Sequence, residues 1–382
     1  MKKIIISWFL LLIVGGCWNY KELNDYAIAT SMAIDYVDNE YMVSFLISNG
    51  KKSDDGKKFQ PILYSGRGKS IYEAIKNVDL ISMKQLYIGH LGSVVISDKV
   101  AYGGIYDALE FLLEDSGSKK NFYVFLAKDC KAMDVLSITT PISNNEAILM
   151  SSNDSYKLQG SVVDKTFSDV IYELINDGID TFISSYVVVG DINEGSSMDN
   201  LESTTPNTYI KLDDLGIFKG DKLVAWADKN ISKGINIINN SANEIYVNID
   251  CDDGYIIVNT NDLKTSKEIS KDRIKINTKG HASISEVTCN IDLRNKDNID
   301  KIEKDINNKI KELIKNGYDF VRENGSDIFG LGLEYYRNNP NEYKNIDFNY
   351  IYSNINPKIV VDIDIKNSGN IKQSLRRIGN ED

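Results

Sequence analysis

IDKIEKDINNKIKELIKNGYDFV, residues 299–321, sets Ile299, Ile302, Ile306, Ile310, Leu313, Ile314, Gly317 and Val321 at steps of three and four. That spacing puts them on one face of an amphipathic helix of about six turns at 3.6 residues per turn. Around it the period changes to two. Runs near Leu215 to Ala225, Ile245 to Cys251, Tyr255 to Val258, Arg273 to Asn277 and Glu286 to Leu293 alternate apolar and polar residues, with Gly220, Gly254 and Gly280 between them. This is the pattern of antiparallel strands with one wet face. Ile359, Val361, Ile363 and Ile365, alternating with Val360, Asp362, Asp364 and Lys366, predict a final strand. A shorter helix is expected from Ser326 or Asp327 to a stop before Pro340, where the ring removes a backbone donor. The tail after Gly369 is polar and expected to be mobile.

The first half reads differently. Ser70-Ile71-Tyr72-Glu73 is a capping box opening a helix that carries Ile71, Ala74, Ile75 and Val78 inward. Ser93 to Ile96 reads as a strand, and Asp98 caps a helix with Ile105, Leu109, Leu112 and Leu113 in one stripe. Asn121 to Leu126 reads as a buried strand. Thr166 opens a further helix with Val170, Ile171, Leu174 and Ile175 on one side, Gly178 ends it, and Tyr186 to Val189 is a strand. Gly190 to Pro206 is the most polar and turn-rich passage, which places the main boundary there. The expected class is therefore α+β and multi-domain: a mixed α/β N-terminal region (17–200, with a sub-lobe at 61–150) and a C-terminal domain (207–375) of mainly antiparallel strands with one long amphipathic helix.

Residues 1–16 read as a removable leader. Lys2 and Lys3 precede an apolar run from Ile4 to Val14, and Gly15-Gly16-Cys17 follows. About 20 apolar residues are needed to span a bilayer, so this run is too short to be a permanent anchor. Small residues before Cys17 match a lipobox, in which the cysteine sulfur takes a diacylglyceryl group after the leader is cut; Val14 stands where Leu is commoner. Two or more acyl chains anchor a protein stably where one holds only marginally. Just beyond lie Trp18, Tyr20, Leu23 and Tyr26, which either rest at the headgroup level or pack onto the first domain. Net charge is −11, and becomes −13 without the two leader lysines. That balance disfavours nucleic acid and tight spreading on anionic lipid. Cys130, Cys251 and Cys289 are spaced unlike any zinc or haem motif. They are read as buried core thiols, with a Cys251 to Cys289 bridge as the less favoured reading.

Several separated passages together resemble one family, the Ger(x)C (GerAC-type) spore germination lipoproteins, C subunits of the nutrient germinant receptors of bacterial endospores. They are Gly16-Cys17-Trp18 with Glu22-Leu23-Asn24 and Ala33-Ile34-Asp35; Gly89-His90-Leu91-Gly92; Gly216 to Trp226; Gly234-Ile235-Asn236; and Asp327-Ile328-Phe329-Gly330-Leu331-Gly332 ahead of the Pro357 to Ile365 strand. Ala225 departs from a common Gly, and Leu333-Glu334-Tyr335 varies the usual run. The resemblance implies a lipid anchor at Cys17, the outer face of the spore inner membrane, A and B membrane subunits as partners, a multi-domain fold of mixed sheets and helices, no enzymatic activity and no cofactor.

Other motifs point nowhere sharper. Gly66-Arg67-Gly68-Lys69-Ser70 lacks the glycine a phosphate loop needs five residues before Gly68, where Leu63 stands, so it reads as a turn and helix cap. His90 and His281 lie in different predicted domains, against a metal cluster or a His-based triad. The Asp327 to Gly332 passage reads as a glycine-rich junction burying Ile328 and Phe329, with a partner-docking turn as the alternative. The rival function is an extracytoplasmic solute-binding lipoprotein of an importer, which requires two similar α/β lobes around a cleft; a lipid-anchored cell-wall enzyme is a more distant third.

Overall fold

The structure, a computed structural model, describes residues 26–48, 61–114, 119–139, 160–242, 244–251, 253–344 and 346–367. Cys17 and the rest of the leader region, and the tail after Gly369, lie outside them. The described chain is α+β, with twelve helices and two sheets.

The strands are β1 (Tyr26–Val37), β2 (Glu40–Ile47), β3 (Ile62–Gly68), β4 (Gln85–Tyr87), β5 (Ser93–Ser97), β6 (Tyr123–Ala127), β7 (Lys165–Thr166), β8 (Phe182–Val189), β9 (Tyr209–Lys219), β10 (Lys222–Ala227), β11 (Ile245–Cys251), β12 (Gly254–Ser270), β13 (Arg273–Val287) and β14 (Lys358–Asn367). The helices are α1 (Ile71–Ser82), α2 (Asp98–Gly103), α3 (Tyr106–Glu114), α4 (Ala132–Ser137), α5 (Phe167–Ile175), α6 (Ile192–Gly195), α7 (Met198–Glu202), α8 (Lys229–Ile238), α9 (Lys296–Glu323), α10 (Leu331–Asn338), α11 (Pro340–Tyr343) and α12 (Phe348–Asn354).

The first sheet runs β10-β9-β8-β6-β5-β1-β2-β3, with β4 beside β1 and β7 beside β6. Its centre, β8, β6, β5 and β1, is parallel; both flanks are antiparallel. Helices cover both faces, as parallel strands require. Met32, Ile34, Val94, Ile96, Val124 and Leu126 pack beneath α1, α3 and α5. Ala33, Val95, Phe125 and Ala127 pack beneath Ala132, Val135 and Leu136 of α4. Ser70 caps α1 by accepting the Glu73 N–H at 3.2 Å, as its capping box predicts. Gly66 and Gly68 lie in β3, where a Cβ would come within 3 Å of α1 backbone; the pair lets strand and helix touch.

The second sheet, β11-β12-β13-β14, is antiparallel except for the parallel β13–β14 pair. Its buried face packs on α9, whose Ile302, Ile306, Ile310, Leu313, Ile314, Tyr318 and Val321 are all buried. Each fully buried Ile or Leu contributes about 1.5–3 kcal/mol, which outweighs any single local propensity. α8 crosses α9 at Gly234 and Gly317, where a Cβ on Gly234 would overlap the Leu313 carbonyl oxygen.

Several expectations change. The helix read from Asp98 is two, α2 and α3, broken at Gly104 with φ +126°, and Leu113 is exposed. The helix expected from Ser326 or Asp327 begins at Leu331, because the Asp327 carboxylate first collects the N–H groups of that turn; Pro340 then opens α11. The turn-rich passage 190–206 joins β8 to its antiparallel neighbour β9, so the first sheet takes in residues 209–227, and the change of sheet follows at α8. Cys251 and Cys289, read as thiols, form a disulfide. Thr288 bonds Tyr255 in both directions beside side-chain-free Gly254, which brings the two Cα atoms to 6.3 Å, within the bridging range. Periodicity gave the face of each cysteine but not this closure.

Candidate functional site

The passages most characteristic of the sequence meet where the two sheets join. Asp180, placed just before β8 by the turn at Gly178, is buried. Its Oδ1 accepts the Gly220 N–H at 2.8 Å from the β9–β10 turn, and its Oδ2 accepts the Asp327 N–H at 2.7 Å. Lys219 Nζ pairs with the same carboxylate at 3.2 Å. In return the Asp180 N–H donates to the Asp327 carbonyl at 3.0 Å. The Asp327 carboxylate accepts the N–H groups of Leu331 at 3.2 Å and Gly332 at 2.8 Å, which caps α10. Ser326 Oγ donates to the Phe218 carbonyl at 2.6 Å. The Leu333 N–H donates to the Gly178 carbonyl at 2.8 Å. Gly178 has φ +81°, and a Cβ there would lie 2.6 Å from Leu333 N, so both conformation and space call for glycine.

Electrostatics set the character of this latch. Burial pushes the Asp327 carboxyl up to about 7, against the pull of the Gly332 and Leu331 N–H groups; the Asp180 charge raises it further and Lys267 lowers it. Burial likewise holds the Lys267 ammonium below its ordinary value, while its Nζ donates to the Phe329 carbonyl at 2.7 Å. Every acid here serves backbone donors. The arrangement holds two sheets in register and positions no acid or base against open space.

A second feature is a crevice of about 420 Å³ at the C-terminal ends of β1, β5 and β6, the edge where open α/β sheets take ligands. Asp35, Ser97, Asp98, Cys130, Lys131 and Asp134 are among its lining. Asp35 is fully used: its two oxygens accept the Ala132 and Met133 N–H groups at 2.8 and 2.9 Å. Its pKa is raised by burial, with those two bonds opposing. Burial pushes the Cys130 thiol up to about 12, so it stays protonated and weakly nucleophilic at neutral pH.

Cys17, the attachment residue named from sequence, lies outside the described residues with Trp18, Tyr20 and Leu23; Tyr26 opens β1 with its ring 5.6 Å from that of Tyr87. Ile328 and Phe329 are buried, so the Asp327 to Gly332 passage is a packed junction. His90 sits against the Tyr87 ring in the first sheet's lobe, and His281 pairs with Asp364 at 2.5 Å on the wet face of the second sheet. The structure does not bring the two histidines together. Among the described residues no three His, Cys, Asp or Glu side chains form a metal-ligand set. Sequence reasoning missed Asp180 and Lys267, and gave Asn236 only as part of a family passage; its amide donates to the Gly160 and Val162 carbonyls from inside α8. Gly178, read only as a helix stop, was the available signal for the latch.

Comparison with known proteins divides the chain at the 190–206 passage, ahead of the change of sheet at α8. Residues 19–189 match the spore germination protein N-terminal domain, and residues 213–369 match the C-terminal domain described as spore germination B3/GerAC like. The chain is 27% identical over 265 residues to spore germination protein KC of Bacillus subtilis (strain 168); the match covers 65% of each chain, just under two thirds of that relative's length. It is 26% identical over 144 residues to spore germination protein B3 of the same organism, covering 37% of this chain and 38% of that one. The fold is similar to the crystal structure of the GerBC protein, with a TM-score of 0.53 at 16% identity, covering 91% of this chain and all of that one.

Proposed function

The chain belongs to the GerAC-like family of spore germination proteins, and we propose that it is the lipid-anchored, non-catalytic C subunit of a nutrient germinant receptor. In this reading Cys17 carries the lipid, the body stands on the outer face of the spore inner membrane, and the A and B membrane subunits are its partners. The observation that carries it is the match of both family domains, in order; the reading of Gly15-Gly16-Cys17 as a lipobox supports the anchor. Among the described residues no helix is long and apolar enough to cross a membrane.

The character of the latch and crevice supports a binding and coupling role over catalysis. Their carboxylates are engaged by backbone N–H groups, and the Cys130 thiol is held protonated. An importer's binding protein needs two like lobes closing on a cleft. Here one sheet is parallel at its centre and covered on both faces, the other largely antiparallel and covered on one. Deleting the gene in a spore-former is expected to abolish or slow germination toward at least one nutrient and to leave vegetative growth unchanged. Normal germination in a strain lacking this gene and all its paralogues contradicts the proposal.

A further inference from the structure

The last turn of α1 and the residue that caps it carry the two most exposed large apolar side chains among the described residues, Met83 and Leu80, with Ile81 beside them. Leu80 is 78%, Ile81 50% and Met83 92% exposed, all within four residues. Isolated surface hydrophobics are ordinary, but a run at one tip marks an interaction surface. Met83 is also the C-cap of α1 in a left-handed conformation, φ +55°, a position that glycine or asparagine fills without strain. Keeping a long apolar side chain there, facing water, costs stability twice over.

The location of this tip names its occupant. β4 pairs with β1 in parallel, Tyr26 opposite Gln85 and Ala27 opposite Leu86. Met83 is two residues from Gln85, and paired strands lie about 4.8 Å apart, so the tip falls within roughly 12 Å of Tyr26. Tyr26 in turn is nine residues from Cys17, a reach of at most about 30 Å. The opposite end of β1, at Tyr36 and Val37, is about 36 Å away at 3.3 Å per residue, and the crevice opens there. Tyr26, Tyr87 and His90 make a chain of ring contacts at the anchor end, with centroids 5.6 and 5.5 Å apart, and Lys84 is exposed beside Met83. Tyrosine and lysine at the rim of an apolar tip suit the headgroup region, with the apolar side chains beyond it.

We propose that Leu80, Ile81 and Met83 form a membrane-contact tip that inserts into the headgroup and acyl boundary of the bilayer holding the anchor, fixing the body with the first sheet's C-terminal edge pointing away. The inference rests on the reading of Cys17 as lipidated. A second contact point turns a loose tether into a defined orientation, because the body can no longer swing about its anchor.

The test uses the full chain in membrane vesicles from a lipoprotein-processing bacterium, with a photoreactive benzophenone side chain at position 83 or, as control, at position 36. Fatty-acid labelling of Cys17 is read in the same samples. Position 83 is expected to crosslink to phospholipid at least tenfold more than position 36, and Leu80→Ser with Ile81→Ser to cut the position-83 yield several-fold. Equal yields at both positions, or crosslinks from 83 to protein alone, overturn the proposal; the second result assigns the tip to a partner subunit. Labelled Cys17 with no lipid crosslink at 83 removes the tip and leaves the anchor standing. Lipid crosslinks at 83 with unlabelled Cys17 do the reverse.

Discussion

The two sheets bury their strands in different ways. All five residues of β5 are buried, under helices on both faces, whereas β13 alternates buried and half-exposed positions along most of its length. A strand covered twice is buried at every residue, and a strand covered once only at every second one. The second sheet thus keeps a polar face, where His281 meets Asp364 and Lys366, and depends for its core on one layer of helix. It should be the more fragile of the two.

Four measurements sharpen or break that contrast. The largest effect is expected from Cys251→Ser with Cys289→Ser. The bridge spans 38 residues, and loop-closure entropy puts its loss at about 4 kcal/mol. Hydrogen exchange should then speed up in β11 to β13 far more than in β5 and β6, and equal acceleration in both sheets contradicts a separate response. Next is Gly234→Val, which sets a side chain into the α8–α9 crossing where only backbone fits. Overpacking of that kind costs about 3 kcal/mol, read as a lowered denaturant midpoint; an unchanged midpoint refutes the close crossing.

Asp327→Asn probes the latch between the sheets. The folded carboxyl is raised to about 7 from an ordinary value of 3.8, so its stabilising contribution is fully present below pH 4 and is lost as pH rises toward 7. Asn carries one accepting oxygen, as the protonated acid does, so the variant should match the wild type at pH 4. Toward neutrality the wild type should lose about 2 kcal/mol relative to it as the buried carboxyl ionises, and parallel stability curves rule out the titration. Smallest is Ser70→Ala, a lost N-cap worth about 1 kcal/mol, confined by hydrogen exchange to α1 and its neighbours.

Much of this contrast was legible in the amino-acid order. α9 announced itself by unbroken three–four spacing, and β14 by strict alternation, because each presents one face to the core. α8 was not legible: Lys-Asn-Ile-Ser-Lys-Gly-Ile-Asn-Ile-Ile carries a mid-helix glycine and polar residues that favour turns, and the glycine serves a close crossing with α9, which lies far along the chain. The latch was legible in part. Gly330 and Gly332 signalled a tight junction, but nothing local linked Asp327 to Asp180, 147 residues earlier. The polar passage at 190–206 separates the two family matches and also joins two neighbouring strands of one sheet, because a loop within a sheet has the same turn-rich composition as a linker.

The account's central claim is that an inert, tethered body works beside membrane partners. Affinity purification of the tagged full chain from detergent-solubilised spore inner membranes tests it most directly. The account predicts recovery together with two polytopic subunits in fixed stoichiometry, and with neither in a Cys17→Ala strain whose protein has left the membrane. Recovery of the wild-type chain alone, or from the soluble fraction, contradicts it.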